Sequence, residues 1–417
     1  MKRYVIIGGG VAGIQCIEGI RSADTEGSIT LITTEENSNY GRPLISYYLE
    51  GATDEDRMSY RGQDFYETNH VTALHGACAE KLDPVAKTLT LSDGKVLPYD
   101  ALCVAAGSSP FVPPFAGLDT VPAEKRFTFM TLADAKALKT AVEPDSKVLI
   151  IGGGLIGLKC AEGLYAHTRN LTVCDLATHV LSSILQPESS EVVERHLETL
   201  GIRLLLGDSA KEFRGNQAIM NSGKTVEFDL LVLAIGVRPN TALVKDAGGT
   251  VNRGIVTDAH METSLPGVWA AGDCVESLNT VTGQQGILAI LPNAAAQGRT
   301  AGINMTGGDA TFNGGIPMNS MGILGLHLMT AGSYYEAEEG GQVYFEQTEN
   351  AYKKLFVKDD RLTGFILMGD LHRTGIYTAL IREGTPLNTI DFEAVKKDPS
   401  LLPFGENYRR QKLGGVV

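Results

Sequence analysis

The chain writes one line twice. Tyr4–Ile20 reads YVIIGGGVAGIQCIEGI and Val148–Leu164 reads VLIIGGGLIGLKCAEGL, with nine of seventeen positions identical. Each copy is a short apolar run, then G-x-G-x-x-G, then an amphipathic segment. The glycines are Gly8, Gly10 and Gly13 in the first copy and Gly152, Gly154 and Gly157 in the second. A lone motif of this kind is weak, but a strand before it and a helix after it, twice over, is specific. The first glycine allows the strand-to-helix turn. The second lets a pyrophosphate approach the backbone, and the third lets helix and strand pack closely. The helix N-terminus then meets the phosphates with free N–H groups and a positive dipole end. The first-turn residues Val11, Ala12, Leu155 and Ile156 belong to the same dinucleotide-binding sets.

Such a motif calls for an acid at the end of the next strand, to hold ribose hydroxyls. NLTVCDL supplies Asp175 in the second copy, and SITLITTEE supplies Glu35 in the first, with Glu36 behind it. A second echo extends the repeat. YDALCVAAGSSP (Tyr99–Pro110) and FDLLVLAIGVRP (Phe228–Pro239) share aromatic-Asp-x-Leu-x-x-Ala-x-Gly-x-x-Pro. Both read as buried strands ending in glycine turns, which puts Ala106, Gly107 and Gly236 beside a ligand. Gly8 to Gly107 spans 99 residues and Gly152 to Gly236 spans 84. The first copy therefore carries about 15 extra residues, expected around 38–65. The fold class is α/β: two Rossmann-like dinucleotide-binding domains, with further chain after them.

Composition narrows the function. A net charge of −13 argues against a general nucleic-acid or anionic-membrane surface. The nearest thing to a membrane span, MGILGLHLMTAG at 321–332, is far short of the ~18 apolar residues needed. The first strand pattern begins by Tyr4, which leaves no signal peptide, so a cytoplasmic protein is expected. None of Cys16, Cys78, Cys103, Cys160, Cys174 and Cys274 stands in a C-x-x-C or C-x-x-x-x-C spacing. Buried small hydrophobes are expected there, with no zinc site and no metal.

With these features in view, the sequence resembles the FAD-dependent pyridine nucleotide-disulfide oxidoreductase superfamily, over most of its length. TSLPGVWAAGDC (Thr263–Cys274) is similar to the family's second flavin motif. The resemblance implies that Asp273 bonds the ribityl chain of FAD, with Gly272 close to the flavin. LPNAAAQGRTAG (Leu291–Gly302) resembles the helix aimed at the flavin's pyrimidine end, which implies roles for Asn293, Ala294 and Gln297. YGRPLIS resembles the segment whose Arg-Pro pair, here Arg42 and Pro43, lies along the FAD pyrophosphate. Ala79 joins the implied cofactor contacts.

The departures from the family are equally informative. No cysteine lies between Cys16 and Cys78, where disulfide reductases keep their redox pair. Tyr47 stands where related reductases tend to have lysine, and Lys159 where glutamate is usual. RPLISYYLEG with the region near 320 looks most like NADH:rubredoxin reductase-type and nitrite-reductase-subunit-like flavoproteins. The implied fold is glutathione-reductase-like with a C-terminal α+β interface domain. An FAD domain over 1–112 and 241–315, an NAD(P)H domain over 113–240 and a third domain over 316–417 are expected.

The reading is an FAD-dependent enzyme that takes electrons from NADH and passes them to an external acceptor, a small carrier such as rubredoxin or ferredoxin. No side-chain acid or base is required, because the cofactors carry the chemistry; the resemblance makes Tyr47 a candidate beside the flavin, or else a core residue, and Lys159 a candidate facing the nicotinamide, or else a snorkelling helix lysine. The alternatives are an NADH oxidase using oxygen, the reductase component of a nitrite-reductase-like or oxygenase system, and a non-catalytic NADH-sensing flavoprotein. A monomer or homodimer is expected. Lys353, Lys354, Lys358 and Arg361 cluster about one hairpin in the least acidic third of the chain, a candidate dock for the carrier.

Overall fold

The repeated line becomes two five-stranded parallel sheets. The apolar runs Tyr4–Ile7 and Val148–Ile151 are wholly buried, as strands covered on both faces must be. This computed structural model describes residues 1–37 and 39–413. Residue 38, at the start of the expected insertion, and 414–417, at the end of the expected third domain, lie outside the described residues.

In the first sheet the strand order is Val268–Ala270, Ala101–Val104, Arg3–Ile7, Ser28–Ile32, Val71–Leu74, with every neighbouring pair parallel. In the second it is Arg203–Leu206, Leu171–Asp175, Val148–Ile151, Leu230–Leu233, Arg126–Phe127, again all parallel. The first sheet takes strand Val268–Ala270 from beyond the whole second sheet. The chain therefore leaves the first sheet and returns to it. The two crossings pair with each other: Ser108–Pro110 runs antiparallel to Val237–Pro239. These are the stretches that follow the echoed glycine turns. Asn240 fastens the ribbon, donating from Nδ2 to the Ala106 carbonyl at 2.8 Å and from its backbone N–H to the Gly107 carbonyl at 2.9 Å.

Five helices position the site. α1 (Val11–Arg21) follows the first glycine turn. α2 (Ile45–Glu50) lies in the extra stretch of the first copy. α3 (Leu132–Ala141) is entered through a capping box of Thr131 and Asp134. α4 (Leu155–Tyr165) follows the second glycine turn, and α5 (Leu291–Met305) closes the series.

All of this lies in one unit, residues 1–183, 190–277 and 285–313. A second unit comprises 184–189, 278–284 and 314–417. Its antiparallel sheet has the order Met318–Ile323, Leu326–Gly332, Arg361–Met368, Tyr352–Lys358, Gln342–Gln347. Helix Gly375–Glu383 covers it through Tyr377, Leu380 and Ile381. Strands Tyr352–Lys358 and Arg361–Met368 are joined by a tight hairpin: Asp359 and Asp360 both take positive φ, 50° and 57°, the conformation a two-residue turn between twisted strands requires. No described helix is long and apolar enough to cross a membrane.

Candidate dinucleotide-binding sites

Each glycine turn has a closed side and an open side. Gly8 and Gly152 take φ of 110° and 119°. A Cβ on either would stand 2.0 Å from the Ala105 carbonyl oxygen or 2.2 Å from that of Ala234. Cβ atoms on Gly13 and Gly157 would come within 1.9 Å of the Gly8 and Gly152 carbonyl oxygens. At Gly10 and Gly154, by contrast, a Cβ would meet nothing within 4 Å. These two residues are the N-caps of α1 and α4. Neither helix has a side-chain cap or an acid in its first turn. A missing cap costs a helix about 1 kcal/mol. Here the first turns of Val11, Ala12, Leu155 and Ile156 carry no side-chain cap, as a phosphate site would require. α5 has the same character, beginning after Ile290 with no side-chain cap and no acid.

Asp175 ends its strand beside the second turn. Its Oδ2 accepts from the Gly153 N–H at 2.6 Å and its Oδ1 from the Ala177 N–H at 2.8 Å. The first copy differs. Gly8 donates to the Ile32 carbonyl as Gly152 donates to that of Cys174. Thr33, not Glu35, is thus the positional twin of Asp175. Glu35 is engaged elsewhere: its Oε1 accepts from Arg42 Nη2 at 2.5 Å and its Oε2 from the Tyr40 hydroxyl at 2.6 Å. Arg42 also donates to the Met130 carbonyl, and the Tyr40 hydroxyl accepts from the Leu132 N–H at 3.1 Å. Pro43 follows, itself exposed, in the single turn Arg42–Leu44.

Arg42 also acts on Asp273. Burial pushes the Asp273 carboxyl above the usual carboxylate range, and the Arg42 guanidinium pulls it back. A half-buried carboxylate in this state has room for further donors, which fits a polyhydroxylated ligand chain. The adjacent turn is tightly made. Gly272 has φ 85°, and its N–H donates to Gln297 Oε1 at 2.8 Å; Gln297 Nε2 donates to Ser277. Gln297 is therefore a brace for the turn, while Asn293 and Ala294 are buried in the first turn of α5, behind the exposed Leu291 and Pro292. Asn39 is a residue the motifs did not mark. Its N–H donates to the Gly9 carbonyl at 3.1 Å, and its buried Oδ1 has no partner. An orphan acceptor beside the first turn is a further sign of a ligand.

Tyr47 and Lys159 meet. The Lys159 ammonium stands 4.5 Å from the centre of the Tyr47 ring and pairs with Glu162 one turn along α4. Ala79 opens strand Ala79–Asp83 and packs against the first core. Cys16, Cys103, Cys160, Cys174 and Cys274 are buried, and Cys78 is exposed. Among the described residues no cluster of His, Cys, Asp and Glu could hold a metal ion. In the second unit two of the hairpin lysines are ion-paired: Lys353 with Glu346 at 3.1 Å and Lys354 with Glu336 at 3.1 Å.

Comparison with known proteins agrees with this geometry. The family model described as pyridine nucleotide-disulphide oxidoreductase matches residues 2–298, and that of the rubredoxin NAD+ reductase C-terminal domain matches 317–385. The NADH-dependent phenylglyoxylate dehydrogenase subunit epsilon of Aromatoleum evansii is 30% identical over 397 residues, covering 93% of each chain. The NAD(P)H nitrite reductase of Bacillus subtilis is 30% identical over 377 residues, 88% of this chain but 46% of that one. Among solved structures, the covalent putidaredoxin reductase–putidaredoxin complex gives a TM-score of 0.86 at 24% identity, covering 95% of this chain and 96% of that one, a likeness of fold.

Proposed function

The chain belongs to the pyridine nucleotide-disulphide oxidoreductase family, whose cofactors are FAD and NADH, and from that premise we propose that it oxidises NADH and delivers the electrons to a small electron-carrier protein. The observation that carries the reading is the pair of glycine turns, each closed on one side, open on the other, and followed by an uncapped helix. In this reading residues 1–112 and 241–315 hold FAD, 113–240 hold NADH, and 316–417 form a third domain. FAD held by these residues would supply two-electron acceptance from NADH and one-electron release to a carrier.

The chain's own residues bind and orient. Gly8, Gly10 and Gly13 with the first turn of α1 receive the FAD pyrophosphate, and Arg42 and Pro43 lie along it. Glu35 holds Arg42 in place. Asp273 accepts from ribityl hydroxyls, with its turn fixed by Gln297. The start of α5, with Asn293 and Ala294, turns a positive dipole end toward the flavin. Gly152, Gly154 and Gly157 receive the NADH pyrophosphate, and Asp175 accepts from the ribose hydroxyls. No protein acid or base is needed for the transfer, so the demand on the fold is distance and angle.

Two matches support a carrier as acceptor: the rubredoxin reductase C-terminal model over 317–385 and the neighbour solved with putidaredoxin. The absence of a cysteine between Cys16 and Cys78 supports direct exit of electrons from the flavin. The near-complete overlap with a dehydrogenase subunit favours one further reading, in which the chain is the NADH-handling subunit of a larger oxidoreductase. The cytoplasm, with its NADH pool, is the compartment this activity implies. The test is NADH turnover with an artificial dye, then with rubredoxin and ferredoxin. Dye and carrier reduction support the proposal. Dye reduction with neither carrier points to the subunit reading, and no turnover at all rejects both.

A further inference from the structure

Each fingerprint helix carries a glycine nine residues beyond its N-cap, Gly19 in α1 and Gly163 in α4. A glycine inside a helix costs about 1 kcal/mol relative to alanine. Strand packing does not explain the pair, because Gly13 and Gly157 already serve it. Both glycines instead admit another helix. A Cβ on Gly19 would stand 2.5 Å from the Arg299 carbonyl oxygen of α5. A Cβ on Gly163 would stand 2.8 Å from the Ser46 carbonyl oxygen and 3.0 Å from Leu49 Cβ, both of α2. α2 is thus to the second copy what α5 is to the first.

The parallel has a consequence because α2 does not come from the second copy. It follows Arg42, which is tied to Glu35 at the end of the first copy's second strand. The same extra stretch is also bound to α1, where Arg61 Nε donates to Glu18 at 2.5 Å. Yet α2 is held by residues of the second half. Lys159 lies over Tyr47, His167 Nε2 meets the Leu49 carbonyl at 2.5 Å, and Lys139 Nζ donates to the Tyr48 carbonyl at 2.8 Å. His167 takes up a carbonyl at the end of the helix, where intrahelical donors run out, and Lys139 joins the Gly51 N–H on the Tyr48 carbonyl. An ion pair as sheltered as Lys159–Glu162 is weak evidence of stability, since apolar side chains hold such a seam as well.

We propose that the seam between α2 and α4 is a spacer: Gly163, with Lys159 and Tyr47 beside it, sets how closely the NADH-binding helix approaches the flavin-bearing half and so positions the nicotinamide for transfer. This rests on the function proposed above. Gly163 and Lys159 are positioning residues, acting through the placement of α4. An alanine at 163 must push the helices apart by roughly half an ångström to reach ordinary contact, and misplacement by 1 Å can cost about a hundredfold in rate.

The experiment uses Gly163→Ala holoprotein. FAD content and affinity for ADP-ribose, which lacks the nicotinamide, are measured beside the anaerobic rate of flavin bleaching by NADH. Full FAD, ADP-ribose affinity within about twofold of the parent and a rate lowered at least about tenfold are expected. Lys159→Met should show the same split and Lys159→Arg should restore the rate, and this pair decides the matter if Gly163→Ala does not fold. A rate within twofold of the parent overturns the proposal, as does a matching loss of ADP-ribose affinity, which would mean that the seam shapes the binding helix itself. A parent protein that NADH does not bleach would overturn both the proposed function and this inference. Bleaching of the parent and the variants at one rate overturns the inference alone.

Discussion

The Gly153 N–H donates to Asp175 Oδ2 at 2.6 Å, so the acid that ends the strand also fastens the glycine turn beside it. The same carboxylate would accept from a ribose 2′-hydroxyl and repel a 2′-phosphate. No arginine follows in Leu176–Val180 to offset that repulsion. The account predicts kcat/KM at least about tenfold higher with NADH than with NADPH, a difference of 1.4 kcal/mol or more. Asp175→Ala should narrow the ratio chiefly by lowering the NADH value. Equal values in the parent would contradict the assignment.

Asp273→Ala should leave largely colourless protein. The side chain is half-buried, its carboxyl is raised by burial, and the Arg42 guanidinium pulls it back. Asp273→Asn, which keeps the shape but loses the charge, should retain FAD more weakly than the parent. Flavin-to-protein ratios after gel filtration decide this, and full occupancy in the alanine variant would remove Asp273 from the site.

The parts of this site that were legible in the sequence are those encoded by backbone need. Gly8, Gly107, Gly152, Gly236 and Gly272 all take positive φ at turns beside the sheets, and a composition rule tied to conformation can be read from one chain. The strands and the hairpin at Asp359–Asp360 were legible for the same reason. Side-chain partners distant in sequence leave no such mark. Arg42 with Met130, Tyr40 with Leu132 and Tyr47 with Lys159 become neighbours only when the two halves fold together. Spacing alone does not reveal register: the strand ends place Thr33 opposite Asp175 in the repeat, with Glu35 two residues further on.

Asp100 should make the first sheet acid-sensitive. The Arg3 guanidinium and then its backbone N–H hold this carboxyl down to about 2. A lowered value favours the folded state above the unfolded value, near 4, and the gain fades as pH falls toward 2. Asp100→Asn should therefore lower Tm at pH 7 and converge on the parent near pH 2. A Tm gap that does not shrink with acid would contradict the pairing.

Lys354 should matter to stability rather than to docking. It is nearly buried, pairing with Glu336 and donating to Gln186 Oε1 at 2.6 Å. Lys354→Ala should cost about 1 kcal/mol, roughly 2–4 °C in Tm, with rubredoxin or ferredoxin reduction unchanged at a temperature where the variant is folded. A selective loss of carrier reduction at unchanged Tm would return this lysine to the docking surface.

The most direct test of the central claim is an anaerobic titration of the purified protein with NADH, followed through the visible absorbance of the flavin. The account predicts complete bleaching at one NADH per FAD, because the flavin is the only centre filled. Bleaching that requires two NADH per FAD would reveal a hidden disulfide and thiol chemistry. No bleaching, in protein that dithionite does reduce, would contradict the claim that this chain oxidises NADH.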